Sequence, residues 1–210
     1  SALAVLIFVI YEVQNASSSS PSFVDSNPEE LPSELPKTKV PEVALQPQPR
    51  NIDESESLVK LEVGGAICTA FFIAPNQLLT ADHCMKSGQK GLITLKDRTT
   101  ASAEKVKRVG YDVALLSTNT TSKSFLQKGT GVSGVPITVK GWRLGIWTES
   151  IGVLKDKDRR GNWDFSLNPT NNQGYSGAPV VQNGAWVAVN VGRIPKAQRN
   201  VAIPSENIVF

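Results

Sequence analysis

The stretch LVKLEVGGAICTAFFIAPNQLLTADHC, residues 58–84, sets the expected fold. It holds three short apolar runs, LVKLEV, AICTAFFI and QLLTA, with two glycines after the first run and a Pro-Asn pair after the second. Short apolar runs separated by turn-forming residues are typical of closely spaced antiparallel strands. The stretch therefore predicts an all-β fold.

The same pattern continues to the end of the chain. Nine further runs follow, namely GLITLK, KVKRVG, DVALLS, PITVK, LGIWTESIGVL, NWDFSLN, APVVQ, AWVAVNVG and NVAIP. A segment rich in Ser, Thr, Lys and Gly, residues 117–134, separates the first three of these runs from the last six. We therefore expect two β lobes, residues 58–122 and 123–210.

Residues 15–57 differ in composition from the rest of the 210-residue chain. They hold eight acids, three bases and seven of the thirteen prolines, although the whole chain carries a net charge of +3. So few apolar residues and so many helix and strand breakers predict a disordered linker.

Residues 1–14 begin with the apolar run SALAVLIFVIY. As a helix this run reaches only about 16 Å, whereas a bilayer core is roughly 30 Å thick. We interpret them as the tail of a membrane span that begins upstream; a surface-lying or buried segment is the alternative.

His83, in LLTADHC, is the only histidine of the sequence, so any acid–base chemistry by an imidazole depends on it. A lone histidine at a strand end is more often structural, and the catalytic hypothesis therefore needs partners. Asp112, in YDVALL, precedes an apolar run, where a carboxylate is rarely placed without a partner. Asp82 is the competing acid. Because neighbours in an extended chain point to opposite faces, we expect Asp112 to be the partner of His83.

Ser176, in GYSGAPVV, is the candidate nucleophile. Gly174 lets the backbone take a tight conformation that aims N–H groups at a developing oxyanion. Gly-x-Ser-Gly alone is a weak signal, since ordinary glycine turns share it, but the ordered set of His83, Asp112 and Ser176 is strong. His83 would act as the base for Ser176, with Asp112 holding the tautomer of its imidazole. The N–H groups of Gly174 and Ser176 would bind the oxyanion.

These residues and the phrases TADHC, YDVALL and GYSGAPV resemble the chymotrypsin-like serine proteases over residues 58–210. The resemblance implies two antiparallel β-barrels with the active site between them, serine endopeptidase activity and no cofactor. It also implies a disulfide in the histidine loop, between Cys68 and Cys84. From the residues alone, the two cysteines could equally be buried thiols. No metal is expected, because two cysteines and one histidine are a poor zinc set and ligation would occupy the base.

The short domain, the upstream apolar segment and the Pro/Glu-rich tether resemble polyprotein-processing proteases of positive-strand RNA viruses. These are of the sobemovirus, polerovirus and barnavirus kind, with astrovirus proteases as a further relative. The resemblance implies cleavage of the viral polyprotein, including the enzyme's own junctions, in the host cytoplasm or at the cytoplasmic face of host membranes. The membrane would be reached through the upstream apolar segment.

The sequence departs from the sobemovirus-like pattern in the substrate pocket. A threonine usually stands five residues before the nucleophile and a histidine often lies fourteen residues after it, where this chain has Asn171 and Asn190. With Asn200 they are the predicted pocket residues. Three amides favour a neutral, hydrogen-bonding substrate side chain over a charged one. The alternative is that they are turn or edge asparagines.

Two other functions stay open. The first is a cellular or bacterial trypsin-like protease. The second is a catalytically silent trypsin-fold module that binds RNA or a protein. Residues 58–210 hold nineteen bases against ten acids, and KDKDRR at residues 155–160 is basic, but its alternating charges are typical of a solvated loop. RNA binding therefore has no specific support, and the complete triad argues against a silent module.

Overall fold

The computed structural model describes residues 54–169, 173–194 and 199–210. The apolar segment 1–14 and residues 15–53 of the expected linker lie outside these ranges. Thirteen strands and three 3₁₀ turns make up the described part, and no α-helix occurs in it. The strands are β1 (Leu58–Val63), β2 (Ala66–Ala74), β3 (Gln77–Ala81), β4 (Lys90–Thr94), β5 (Thr100–Gly110), β6 (Val113–Thr118), β7 (Gln127–Lys128), β8 (Pro136–Arg143), β9 (Ile146–Lys157), β10 (Trp163–Asn168), β11 (Pro179–Gln182), β12 (Ala185–Ile194) and β13 (Arg199–Pro204). The 3₁₀ turns are Glu54–Ser57, Asp82–Cys84 and Ser205–Asn207.

The last residues assigned to the linker are structured. Glu54–Ser57 form a 3₁₀ turn, in which Ser57 is buried and Glu54 pairs with Lys140 of β8 at 3.0 Å. This ion pair and the burial of Ser57 hold the turn against the folded domain. Among the described residues, no helix has the length and apolarity needed to cross a bilayer.

The first six strands close into an antiparallel barrel in the order β1-β2-β3-β6-β5-β4. Alternate side chains of β1 to β3 fill its interior, including Val59, Leu61, Phe72 and Leu78. Some of the side chains between them, such as Leu58, Phe71 and Leu79, point out of the barrel and are also buried. Burial on both faces explains why AICTAFFI and QLLTA are apolar along most of their length, whereas Lys60 and Glu62 of β1 alternate with buried residues.

The second barrel has the order β11-β8-β9-β10-β13-β12, and pairing of β12 with β11 closes it. β7 lies parallel to β12 at its outer edge. Tyr175, Phe165 and Leu154 are among the side chains that fill the interior. The prediction of an all-β fold with two antiparallel barrels is confirmed.

An apolar layer joins the two barrels. The outward side chains Leu58, Phe71 and Leu79 of the first barrel pack in one cluster with Trp186 and Val189 of the second. The rings of Phe71 and Trp186 lie 5.6 Å apart and are tilted by 60°. Aromatic side chains of this size each bury roughly 150–250 Å², so the layer fixes the end of β3 relative to the start of β11.

Candidate active site

His83 and Asp112 meet at one end of the first barrel. β3 ends at Ala81, and the 3₁₀ turn Asp82–Cys84 that follows carries His83. Asp112 lies in the tight turn between β5 and β6, with a left-handed φ of 55°. Its Oδ2 lies 2.8 Å from Nδ1 of His83, and its Oδ1 accepts the backbone N–H of His83 at 3.0 Å. The carboxylate therefore holds both the ring and the backbone of His83.

The Asp112 carboxylate also sets the protonation of the imidazole. Its hydrogen bond and charge raise the pKa of His83 above the ordinary value, against the opposing effect of partial burial. With the Nδ1 proton directed at Asp112, the neutral ring keeps its Nε2 lone pair as a proton acceptor. About half of the His83 side chain is exposed, so this nitrogen is accessible to a substrate.

Asp82 is turned to a different set of charges. Its carboxylate lies 2.5 Å from Lys105 Nζ and 3.8 Å from Arg108 Nε, both on β5. Its backbone N–H donates to the carbonyl of Asp112 at 2.9 Å. The structure thus brings Asp112 and not Asp82 to the His83 ring, although the local reason is a 3₁₀ turn rather than an extended chain.

Ser176 lies in the turn that leads into β11. Gly174 and Gly177 in this turn have left-handed φ values of +96° and +84°, which residues with a Cβ rarely adopt. The turn is anchored from both barrels, since Thr69 N–H donates to Ser176 O at 2.9 Å and Gly177 N–H donates to Asn190 O at 2.7 Å. Among the described hydrogen bonds, none joins the Ser176 hydroxyl to His83. Such contacts often tighten only with a bound substrate.

Both glycines also allow a close approach of main chains. A Cβ on Gly177 would lie 2.2 Å from Thr69 O and 2.2 Å from Thr80 Oγ1. A Cβ on Gly174 would lie 1.7 Å from Trp142 O. The Gly-x-Ser-Gly pattern is therefore required by packing as well as by backbone conformation.

A disulfide lies beneath the turn of His83. It joins Cys68 of β2 to Cys84, the residue after His83. Cys84 Sγ lies 3.9 Å from Ser176 O, so the bridge adjoins both the His83 turn and the Ser176 turn.

The two described pocket candidates are buried asparagines of the second barrel. Asn190 is fully buried, and its Nδ2 donates to Tyr175 O at 2.8 Å while its Oδ1 accepts Gly192 N–H at 3.2 Å. Asn200 Nδ2 donates to Phe165 O at 2.8 Å. The structure brings Asn190 directly behind the Ser176 turn. Asn171, the third candidate, lies outside the described residues.

Two threonines at the site were not found by sequence reasoning. Thr69 Oγ1 donates to Gly174 O at 2.8 Å and accepts Trp142 N–H at 3.1 Å. Thr80 Oγ1 donates to Thr69 O at 2.8 Å. Both lie in apolar strands and are fully buried, and a hydroxyl at such a position was the available signal.

The described residues contain no group of three or more His, Cys, Asp or Glu side chains placed to hold a metal ion. The geometry places a base with its orienting carboxylate beside the turn of a serine hydroxyl, with backbone N–H groups nearby.

Residues 46–142 match the family model described as Trypsin, and this range includes His83 and Asp112. These 97 of the 210 residues are similar to the Trypsin family. Ser176 lies beyond the matched range, so its place in the site rests on the fold and the geometry above. No curated protein matches the chain.

Similar solved structures share the fold. The Rv3671c protease of M. tuberculosis, in its inactive form, has a TM-score of 0.63 and 19% identity, covering 73% of this chain and 86% of its own. The serine endoprotease from Yersinia pestis has a TM-score of 0.61 and 17% identity, covering 73% of this chain and 60% of its own. An HtrA-type protease, AlgW, with a tripeptide has a TM-score of 0.64 and 18% identity, covering 72% of this chain and 57% of its own. At these identities the likeness shows a shared fold, and the family match adds similarity to Trypsin over residues 46–142.

Proposed function

We propose that the protein is a serine endopeptidase that cleaves the polyprotein of a positive-strand RNA virus, including its own junctions. The observation that carries the endopeptidase function is the 2.8 Å contact of Asp112 Oδ2 with Nδ1 of His83, at the barrel end beside the Ser176 turn. This contact supplies an oriented base next to a serine that lies between two left-handed glycines.

The chemistry proceeds through an acyl-enzyme. His83 Nε2 takes the Ser176 Oγ proton as Oγ attacks the carbonyl carbon of the scissile peptide bond. The backbone N–H groups of Gly174 and Ser176 donate to the oxyanion that forms. The imidazolium of His83, stabilised by Asp112, then protonates the leaving amine as the C–N bond breaks. A water molecule, deprotonated by His83, hydrolyses the ester and restores the Ser176 hydroxyl.

The viral assignment is supported by the resemblance given above, namely the compact domain of residues 58–210, the Pro/Glu-rich residues 15–57 and the apolar segment 1–14. Its substrates would be junctions of its own polyprotein. The proposal also includes attachment to the cytoplasmic face of host membranes through the apolar segment 1–14. RNA binding forms no part of it.

A bacterial trypsin-like protease is the second candidate. The observation that favours it is the likeness to solved bacterial proteases, including one described as HtrA-type. Both candidates share the chemistry above and differ in the polypeptide that is cut.

The test is expression of the precursor that spans this region, as wild type and as Ser176→Ala. Ser166→Ala, at an exposed serine of β10, is the matched control. We expect the wild type and the control to release fragments that Ser176→Ala does not, and terminal sequencing of these fragments gives the junctions. Cleavage of added peptides without any cut in the precursor would favour the bacterial candidate. Identical fragments from all three folded proteins would overturn the endopeptidase function.

A further inference from the structure

A groove outside the catalytic residues lies between the two barrels, and we call it the tryptophan groove. It has a volume of about 280 Å³ and is lined by Trp142 and Trp147 of the β8–β9 hairpin, by Leu95, Lys96 and Arg98 of the β4–β5 turn, and by Lys60 of β1. The two indole rings meet edge to face with centroids 4.8 Å apart. Trp147 is 41% exposed, which is unusual for a side chain of this size.

The charged side chains that line the groove are cationic, and the carboxylates of Glu62 and Asp97 lie next to them. Lys60, Lys96 and Arg98 contribute three cations, and none of the described residues that line the groove is acidic. Glu62 pairs with Lys60 at 3.1 Å from outside the lining. Arg98 is exposed at the tip of its turn, in a left-handed conformation with a φ of 69°. The groove therefore combines an apolar wall with a cationic rim, which fits a ligand that carries both apolar groups and carboxylates.

The β8–β9 hairpin, which carries both tryptophans, is hydrogen-bonded to the nucleophile segment. The backbone N–H of Trp142 donates to Thr69 Oγ1 at 3.1 Å, and the same hydroxyl donates to Gly174 O at 2.8 Å. In the same hairpin, the Leu144 N–H donates to Gln173 O at 2.7 Å. The hairpin that forms one wall of the groove is thus held against the segment that leads into Ser176, through Thr69 and through Leu144.

We propose that the tryptophan groove is a second substrate-binding site, which takes an extended acidic segment of the polypeptide next to the scissile bond. Glutamate or aspartate side chains of this segment bind Lys96 and Arg98, and an apolar or proline side chain packs against the two indole rings. The proposal deepens the endopeptidase function and rests on it for the identity of the ligand as substrate. Because the groove lies away from the reacting atoms, its contacts are the same in the ground state and the transition state, and they lower KM without raising kcat.

The binding test uses folded Ser176→Ala protein, which cannot cleave the probe. The probe is a fluorescent peptide of alternating prolines and glutamates, and its counterpart has glutamine in place of glutamate. Lys96→Gln with Arg98→Asn removes two charges, and asparagine tolerates the left-handed conformation of residue 98. Lys155→Gln with Arg159→Asn makes the same charge change at exposed positions of the second barrel and is the matched control.

We expect the groove variant to weaken binding of the glutamate peptide about tenfold, since two partly exposed charge pairs are lost. The control variant should bind as the parent does, and the glutamine peptide should bind weakly to all three proteins. Trp147→Ala, which keeps the charges, should also weaken binding. Equal binding of the glutamate peptide to the groove and control variants would overturn the proposal. The proposal would also be overturned if the groove variant lost binding to phosphatidylserine vesicles but bound the glutamate peptide as the parent does. The groove would then be a membrane contact.

The kinetic test uses proteins with an intact Ser176 and peptides cut at a junction found in the precursor. Four glutamates are placed after the scissile bond in one substrate, before it in a second, and are absent from a third. In the groove variant we expect KM to rise about tenfold for one of the two acidic substrates, with kcat unchanged and with the third substrate unaffected. An effect on all three substrates alike would overturn the proposal. In another outcome, the wild type cuts none of the three substrates while Ser176→Ala still binds the glutamate peptide in the groove. This result would overturn the endopeptidase function and support the groove as a binding site for acidic peptides.

Discussion

Replacement of Gly177 by alanine tests how the nucleophile turn is held. A Cβ at this position would lie 2.2 Å from both Thr69 O and Thr80 Oγ1 and 2.8 Å from Ala81 N, and the backbone φ is +84°. The left-handed conformation alone costs a residue with a Cβ about 1–2 kcal/mol. Relief of the overlap costs about 1–3 kcal/mol more, because main-chain atoms must move.

Gly184→Ala is the matched control for this change. Gly184 also has a left-handed φ, +76°, but a Cβ there would meet no atom within 4 Å. Only the conformational cost of about 1–2 kcal/mol applies, which for a domain of this size lowers Tm by about 2–8 °C. Gly177→Ala, with about 2–5 kcal/mol in total, should lower Tm by about 4–20 °C.

The assays are thermal unfolding followed by circular dichroism and the rate of labelling of Ser176 by a fluorophosphonate, measured well below both Tm values. Gly177→Ala should be labelled slowly while folded, because the shifted turn moves Ser176 away from His83. Gly184→Ala should be labelled at the wild-type rate. Equal Tm values for the two variants, together with equal labelling rates, would refute the argument that close packing against Thr69 and Thr80 positions the nucleophile.

Three further predictions concern the residues around His83. Because the imidazole must be neutral to accept a proton, kcat/KM should fall as pH decreases through the raised pKa of His83. Asp112→Asn should move this acid limb of the pH–rate profile to lower pH and reduce the rate by a factor of about 10⁴. An acid limb at the same pH in the variant would contradict the cause given for the raised pKa. Thr69→Val should cost about 2–4 kcal/mol in urea unfolding, because a buried N–H and a buried carbonyl lose their partner, and wild-type stability would show that water replaces the hydroxyl. Asp82→Asn should keep kcat/KM within about tenfold of the wild-type value, since the Asp82 carboxylate faces Lys105 and not the imidazole. A loss as large as that of Asp112→Asn would show that Asp82, and not Asp112, is the acid of the triad.

The strands could be predicted because their residue types and their burial in the barrels favour the same extended conformation. LVKLEV and QLLTA coincide with β1 and β3, since apolar runs bounded by Gly-Gly and Pro-Asn leave few other conformations. The runs carry no information on which strands close the barrels. That step came from the resemblance, and in the structure it depends on pairings such as β1 with β4 that are distant in sequence.

The contacts within the site could be predicted only in part. His83 and Asp112 stood out because a single histidine and a carboxylate before an apolar run are rare placements. Thr69 and Thr80 did not, because threonine is common in strands and its partners, Gly174 O and Thr69 O, become neighbours only when the barrels pack. The Asp82–Lys105 pair was missed because β5 reaches the His83 turn only through β6, which pairs with both β3 and β5.

The division of the catalytic residues between the barrels has a consequence for the timing of activity. The first barrel ends at Thr118 and contains both the base and its carboxylate. Ser176 follows β10, in the second barrel. This barrel is complete only when β13, which ends at Pro204, pairs with β10 and β12. Domains generally fold from the amino terminus as the chain is synthesised. A nascent chain that has produced the His83–Asp112 pair is therefore still inert. Hydrolysis can begin only after nearly the whole domain has been translated.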